Sequence, residues 1–153
     1  MTNEFMKRAV QLALKNVQEG GQPFGAVLVK GNTIIAEGVN GLHQQYDVSS
    51  HAELNAIRTA QENLQTNDLS EYTMYASGHP CPMCLTSMYF VGIKDIYYCA
   101  SMEDLEQIGL KVSGEIYNDL SKQNTDRNIV MKHLPLTEDI ENPLEIWHKK
   151  NSR

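Results

Sequence analysis

Cys81-Pro82-Met83-Cys84 places the strongest demand on how this chain folds. Pro82 favours a first helical turn, so the spacing predicts a helix over Pro82–Val91 with both thiols at its start. Thiolates there gain from the positive end of the helix dipole and from unpaired backbone N–H groups. The spacing suits a tetrahedral zinc, but two cysteines supply half a site, and a redox dithiol has the same spacing. Cys99, the third cysteine, stands alone, so a closed four-cysteine site is out of reach. A metal site therefore needs a ligand from far away in the chain. His51 is the natural one, and Glu53 lies two residues beyond it.

Each of these residues also has a plainer reading. Ser50-His51-Ala52-Glu53 fits a helix capping box, with Ser50 as the cap and Glu53 reaching back. Glu53 nevertheless shares its helical face with Ala56, Ile57 and Ala60, and a carboxylate on a buried stripe is costly unless a polar or charged group meets it. Positions 51 and 53 point to nearly opposite sides of a helix of 3.6 residues per turn. Both reach one metal only where the site lies at the N-terminal end of that helix.

The chain's 153 residues, 41% hydrophobic and 21% charged, fit one compact domain able to bury a core without disulfides. A formal charge of −6 argues against a surface for polyanions. Three cysteines suit a reducing compartment, no run reaches membrane-spanning length, and Lys7, Arg8 and Gln11 interrupt any signal-peptide core. The cytoplasm is the expected location.

Met6, Ala9, Val10, Ala13 and Val17 recur at helical spacing before Gly20-Gly21. Ala26–Val29 and Thr33–Ala36, joined by Gly31-Asn32, read as a hairpin. Further helices are expected at about Ser50–Gln65, Met102–Ile108, Gly114–Leu120 and after Asn142-Pro143. Strands are expected at Tyr72–Ala76, Ile93–Ala100 and Ile129–Leu134. Strands alternating with helices after the hairpin predict a largely parallel sheet covered on both faces. Cys99 reads as a small core residue, Met83 and Met88 as helix packing, and Lys149, Lys150 and Arg153 as a solvated basic tail.

Taken together, His51-Ala52-Glu53 and Pro80-Cys81-Pro82-Met83-Cys84 match the signature of zinc deaminases. With Pro23-Phe24-Gly25-Ala26-Val27, Ile35-Ala36-Glu37-Gly38, Asn40, and the late Asn142-Pro143 and Trp147, the chain resembles the cytidine deaminase superfamily. Within it, the likeness is to the bacterial guanine deaminase branch. The resemblance implies an α/β fold, a three-layer α/β/α sandwich with a five-stranded mixed sheet, forming one deaminase domain over residues 1–153. It implies one zinc per subunit on His51, Cys81 and Cys84, Glu53 as the catalytic proton carrier, and a homodimer. It also implies that Phe24, Asn40 and Ala52 contact a small nucleobase. Asn40-Gly41 is equally an ordinary turn pair, and Phe24 equally the start of a buried strand.

The chemistry implied is hydrolysis: an activated water attacks the carbon bearing an amine, and Glu53 moves the protons. For guanine the product is xanthine. Three departures from the branch bear on the substrate. His79 stands where an acid usually precedes Pro-Cys, Leu110-Lys111-Val112 replaces an aromatic residue and aspartates, and no aromatic follows Trp147. A transfer-RNA adenosine deaminase, a cytosine or cytidine deaminase and a non-catalytic zinc module are the rival readings. Acidic charge weighs against the first, and the presence of Glu53 against the last.

Overall fold

The structure is a computed structural model that describes residues 3–152. It divides into two compact units, one ending at Asn118 and the other running from Asp119. The first unit holds α1 (Glu4–Gln18), β1 (Gly25–Lys30), β2 (Thr33–Val39), α2 (Ala52–Leu64), β3 (Thr73–Gly78), α3 (Pro82–Val91), β4 (Asp95–Ala100) and α4 (Met102–Gln107). Next comes α5 (Val112–Leu120), and the second unit carries α6 (Pro143–Asn151).

Gly31 takes a φ of 60° in the two-residue turn between β1 and β2, a conformation glycine adopts without steric cost. The hairpin forces these strands antiparallel, and β3 then pairs antiparallel with the other edge of β1, giving the order β2-β1-β3-β4. Only β3 and β4 pair in parallel. The sheet is therefore mixed, as the resemblance implies, and not largely parallel as the alternation of strands and helices predicts; β1, reversed relative to its neighbours, sits inside. The crossover through α2 passes over β1 and so joins β2 to a strand it does not touch.

Four strands form among the described residues, not the expected five. The missing one is Ile129–Leu134, which is irregular and exposed. A strand exists only as part of a ladder. Among the described residues, Ile129–Leu134 pairs with no strand, and Pro135 follows without an N–H to donate.

Side chains alternate across the pleat, and the two sets meet different helices. Val27 and Val29 pack with Ala9 of α1, joined by Phe5, Met6, Leu12 and Tyr75. Ala26, Leu28, Ala36 and Met74 pack on the other face with Ala52, Ala56, Ile57 and Ala60 of α2 and Cys84, Met88 and Val91 of α3. Helices thus cover both faces. The buried stripe of α1 is Ala9, Ala13 and Asn16, while Val10 and Val17 are exposed, because small residues let α1 lie close on the sheet. Cys99 is exposed on β4 rather than in the core, since β4 is an edge strand. Lys149 and Lys150 are exposed as expected, and Arg153 lies outside the described residues. Among the described residues, no helix is long and apolar enough to cross a membrane.

Gly38 shows how tightly α2 is seated. A Cβ there would run into the carbonyl oxygen of Ala52 and the amide nitrogen of Ala56, both backbone atoms that cannot swing away. Gly38→Ala is expected to cost about 1–3 kcal/mol, the usual range for overpacking. Urea denaturation measures this, and an unchanged midpoint would show that α2 is free to shift.

Candidate active site

Two helix N-termini build the site. His51 is the residue before α2, in an extended conformation with φ −94° and ψ 155°, and Cys81 holds the same place before α3, with φ −69° and ψ 165°. Glu53 and Cys84 lie in the first turns that follow. The opposed directions of positions 51 and 53 are resolved by this placement: His51 is not helical, so the helical repeat does not govern where its ring points.

Ser50 does not cap α2, contrary to the capping-box reading. Its hydroxyl accepts from Gln45 Nε2 at 3.0 Å and from Asn55 Nδ2 at 3.1 Å. Asn55 also donates to the carbonyl of Val39 at 2.8 Å, so the loop leading to His51 is tied to both β2 and α2. In α3, Pro82 opens the helix and the Cys84 N–H donates to Cys81 Sγ at 3.4 Å.

The donor atoms of His51, Cys81 and Cys84 all lie within 4.8 Å of one another. His51 Nδ1 is 3.3 Å from Cys81 Sγ and 3.6 Å from Cys84 Sγ. Bonds of about 2.0–2.1 Å to nitrogen and about 2.3 Å to sulfur at tetrahedral angles require roughly 3.6 Å between such atoms. One imidazole and two sulfurs at these separations fit zinc. With three protein donors, a fourth position remains for a reactant, as in catalytic zinc sites.

A hydrogen bond couples the two thiols, lowering one and raising the other. Cys81 is pulled down to about 4, first by the hydrogen bond from Cys84 and then by His51 and the Cys84 N–H. Cys84 is pushed up, first by that same bond to Cys81 and then by burial and by Glu53. His51 is raised by its bond to Cys81. A bound cation displaces such protons, which couples its affinity to pH.

Glu53 is 6% exposed, and burial pushes its carboxyl above the usual range. Its partner is the Cys84 side chain, and it is not one of the three clustered metal donors. A buried carboxyl touching a ligand but not serving as one is placed to carry protons beside the metal.

Other expected site residues fall nearby in the chain's architecture. Ala52 is fully buried as the first residue of α2. Phe24 is half-buried, packed against the α2–α3 core, with its ring against Gly78. Asn40 is 1% exposed; its Oδ1 accepts from the Leu42 N–H at 3.0 Å and its Nδ2 donates to Gln22 Oε1 at 3.3 Å. The turn role therefore exists. Asn16, which the periodicity of α1 did not single out, is buried and donates to the carbonyls of Gln22 and Asn40 at 2.8 and 2.9 Å. His79 is not among the clustered metal donors; its Nδ1 donates to the Pro80 carbonyl at 2.9 Å. Tyr117, marked by no motif, donates its hydroxyl to the same oxygen at 2.6 Å.

Residues 1–100 match the cytidine and deoxycytidylate deaminase zinc-binding region. Guanine deaminase of Bacillus subtilis is 40% identical over 144 residues, covering 94% of this chain and 91% of that protein. The X-ray structure of guanine deaminase from Bacillus subtilis superposes with a TM-score of 0.89 at 38% identity, covering 100% of this chain and 98% of the other. A tRNA-specific adenosine deaminase from Aquifex aeolicus is 28% identical, over 95% of this chain and 93% of its own length. The site geometry and these similarities agree: the chain belongs to the cytidine and deoxycytidylate deaminase family and carries its zinc-binding region.

Proposed function

We propose that this enzyme converts guanine and water to xanthine and ammonia, with His51, Cys81 and Cys84 holding zinc and Glu53 carrying the protons. The observation that bears most weight is Glu53 itself, buried against Cys84 yet outside the donor cluster. A purely structural zinc has no use for such a carboxyl. Likeness to the Bacillus subtilis guanine deaminase over nearly the whole chain supports guanine as the base.

When bound, the zinc supplies the Lewis acidity that makes water a nucleophile near neutral pH. Glu53 accepts a proton from the attacking water and delivers it to the ring nitrogen beside the carbon under attack. Glu53 then takes the second proton from the newly added hydroxyl, which becomes the carbonyl oxygen, and gives it to the amine as the carbon–nitrogen bond breaks and ammonia leaves. Phe24 offers a flat apolar surface for the base, and Asn40, anchored by Gln22 and Leu42, offers its remaining amide capacity to the polar edge. Ala52 brings the start of α2, whose first N–H groups have no helical partner, to the same place. The chain is proposed to act as one deaminase domain throughout, in the cytoplasm and as a homodimer. Exposed aromatic residues Tyr89 and Phe90 on α3 support a partner subunit.

Three outcomes are expected. Cys81→Ala and Cys84→Ala should each lose zinc and activity; full zinc by elemental analysis in either would break the ligand assignment. Glu53→Gln should keep its zinc and lose about 10²–10⁴-fold in kcat, the typical contribution of general acid–base catalysis. Activity near the parent's would remove Glu53 from the mechanism. In an ammonia-release screen, guanine should turn over faster than adenine, cytosine, cytidine or transfer RNA. Preference for any of these would assign the altered segment Leu110–Gly114 to a different substrate.

A further inference from the structure

We infer that Tyr117 and His79 act as a positioning pair, their two side-chain donors clamping the Pro80 carbonyl and so fixing Cys81 in the geometry the metal needs. This rests on the zinc reading above.

Cys81 lies between two prolines, and its freedom is unusual as a result. Pro82 restricts Cys81 to extended backbone, in keeping with its ψ of 165°. Proline also fixes its own φ, so Pro80 contributes none. The motions left are rotations of the peptide plane between Pro80 and Cys81, through the ψ of Pro80 and the φ of Cys81. That plane carries the Pro80 carbonyl, the atom the two donors hold at 2.6 Å from Tyr117 Oη and 2.9 Å from His79 Nδ1. A carbonyl oxygen has two lone pairs, and both are used. Pinning this oxygen therefore fixes the peptide plane from which Cys81 and its Sγ depart.

The donors are themselves braced. The His79 N–H donates to the Ala100 carbonyl at 2.9 Å, which ties its backbone to the end of β4. Its ring stands edge-on between Tyr98 and Tyr117, with centroids at 4.8 and 5.6 Å. Because the Pro80 oxygen only accepts, His79 Nδ1 must carry a hydrogen. Tyr117 comes from α5, the helix that begins in the segment departing from the guanine-type pattern. Thus α5 reaches the metal site through the Pro80 carbonyl, with no ligand of its own.

Partners of metal ligands commonly account for about 10–100-fold in metal affinity. Zinc affinity of the full chain, measured by competition with a chromophoric chelator, tests the clamp apart from catalysis. Tyr117→Phe keeps the ring and deletes the hydroxyl, so affinity should fall about 10–100-fold. His79→Leu should do likewise, whereas His79→Asn, which retains an amide donor near the Nδ1 position, should restore most of the loss. With cobalt in place of zinc, the thiolate charge-transfer band should shift in Tyr117→Phe and in His79→Leu, and lie near the parent's in His79→Asn. Affinity within twofold of the parent in Tyr117→Phe would overturn the inference, as would equal losses in His79→Asn and His79→Leu. Cys81→Ala is the control for the site: if it binds zinc as tightly as the parent, the ligand assignment fails, not the clamp.

Discussion

The convergence of two helix starts on one point underlies the rest of this structure. His51 and Cys81 occupy equivalent positions, each just before a helix, and Glu53 and Cys84 sit one step inside. Helix starts expose N–H groups that favour negative charge, so thiolates and a carboxylate gather there at lower cost than elsewhere in a core. The close seating of α2 on β2 at Gly38 and the Cys84 and Met88 packing of α3 against the same sheet face fix the two starts relative to each other. The spacing of the two starts is thus set largely by the apolar packing behind them.

Burial of Glu53 illustrates the exchange involved. Desolvation disfavours its charged form, and the neighbouring Cys81 thiolate adds to the effect. A stability-optimised core would not keep it. In the role proposed for it, taking and returning a proton, Glu53 gains from a carboxyl raised above its ordinary range, because proton transfer is easiest near the working pH.

Much of this was legible in the sequence. Pro82–Val91 is a helix over those residues, because Pro82 at its start and Gly92 after its end punctuate it on both sides. The Gly31-Asn32 hairpin was readable because turn chemistry is local, and the cluster of His51, Cys81 and Cys84 because the two distant motifs together match one signature. Register and partner choice were not. The interior position of β1 depends on which edge β3 selects, and no residue in either strand states that choice. Ile129–Leu134 carries β-forming residues without a ladder to join. Ser50 looked like a cap, yet its hydroxyl is spent on Gln45 and Asn55, partners that only the folded loop supplies. Tyr117 lay beyond reach for the same reason: its partner is a backbone oxygen far away in the chain.

The interior placement of β1 also orders the assembly of the chain. β1 meets β2 across a two-residue turn but meets β3 through pairs such as Ala26 with Ala76 and Val29 with Thr73. Contacts so distant form slowly, since loop closure must precede any gain from pairing. His51 follows the hairpin, whereas both cysteines follow β3. Until β3 docks, the nascent chain therefore holds His51 apart from the Cys81–Cys84 pair. The complete donor set of His51, Cys81 and Cys84 thus exists only once the native topology has formed.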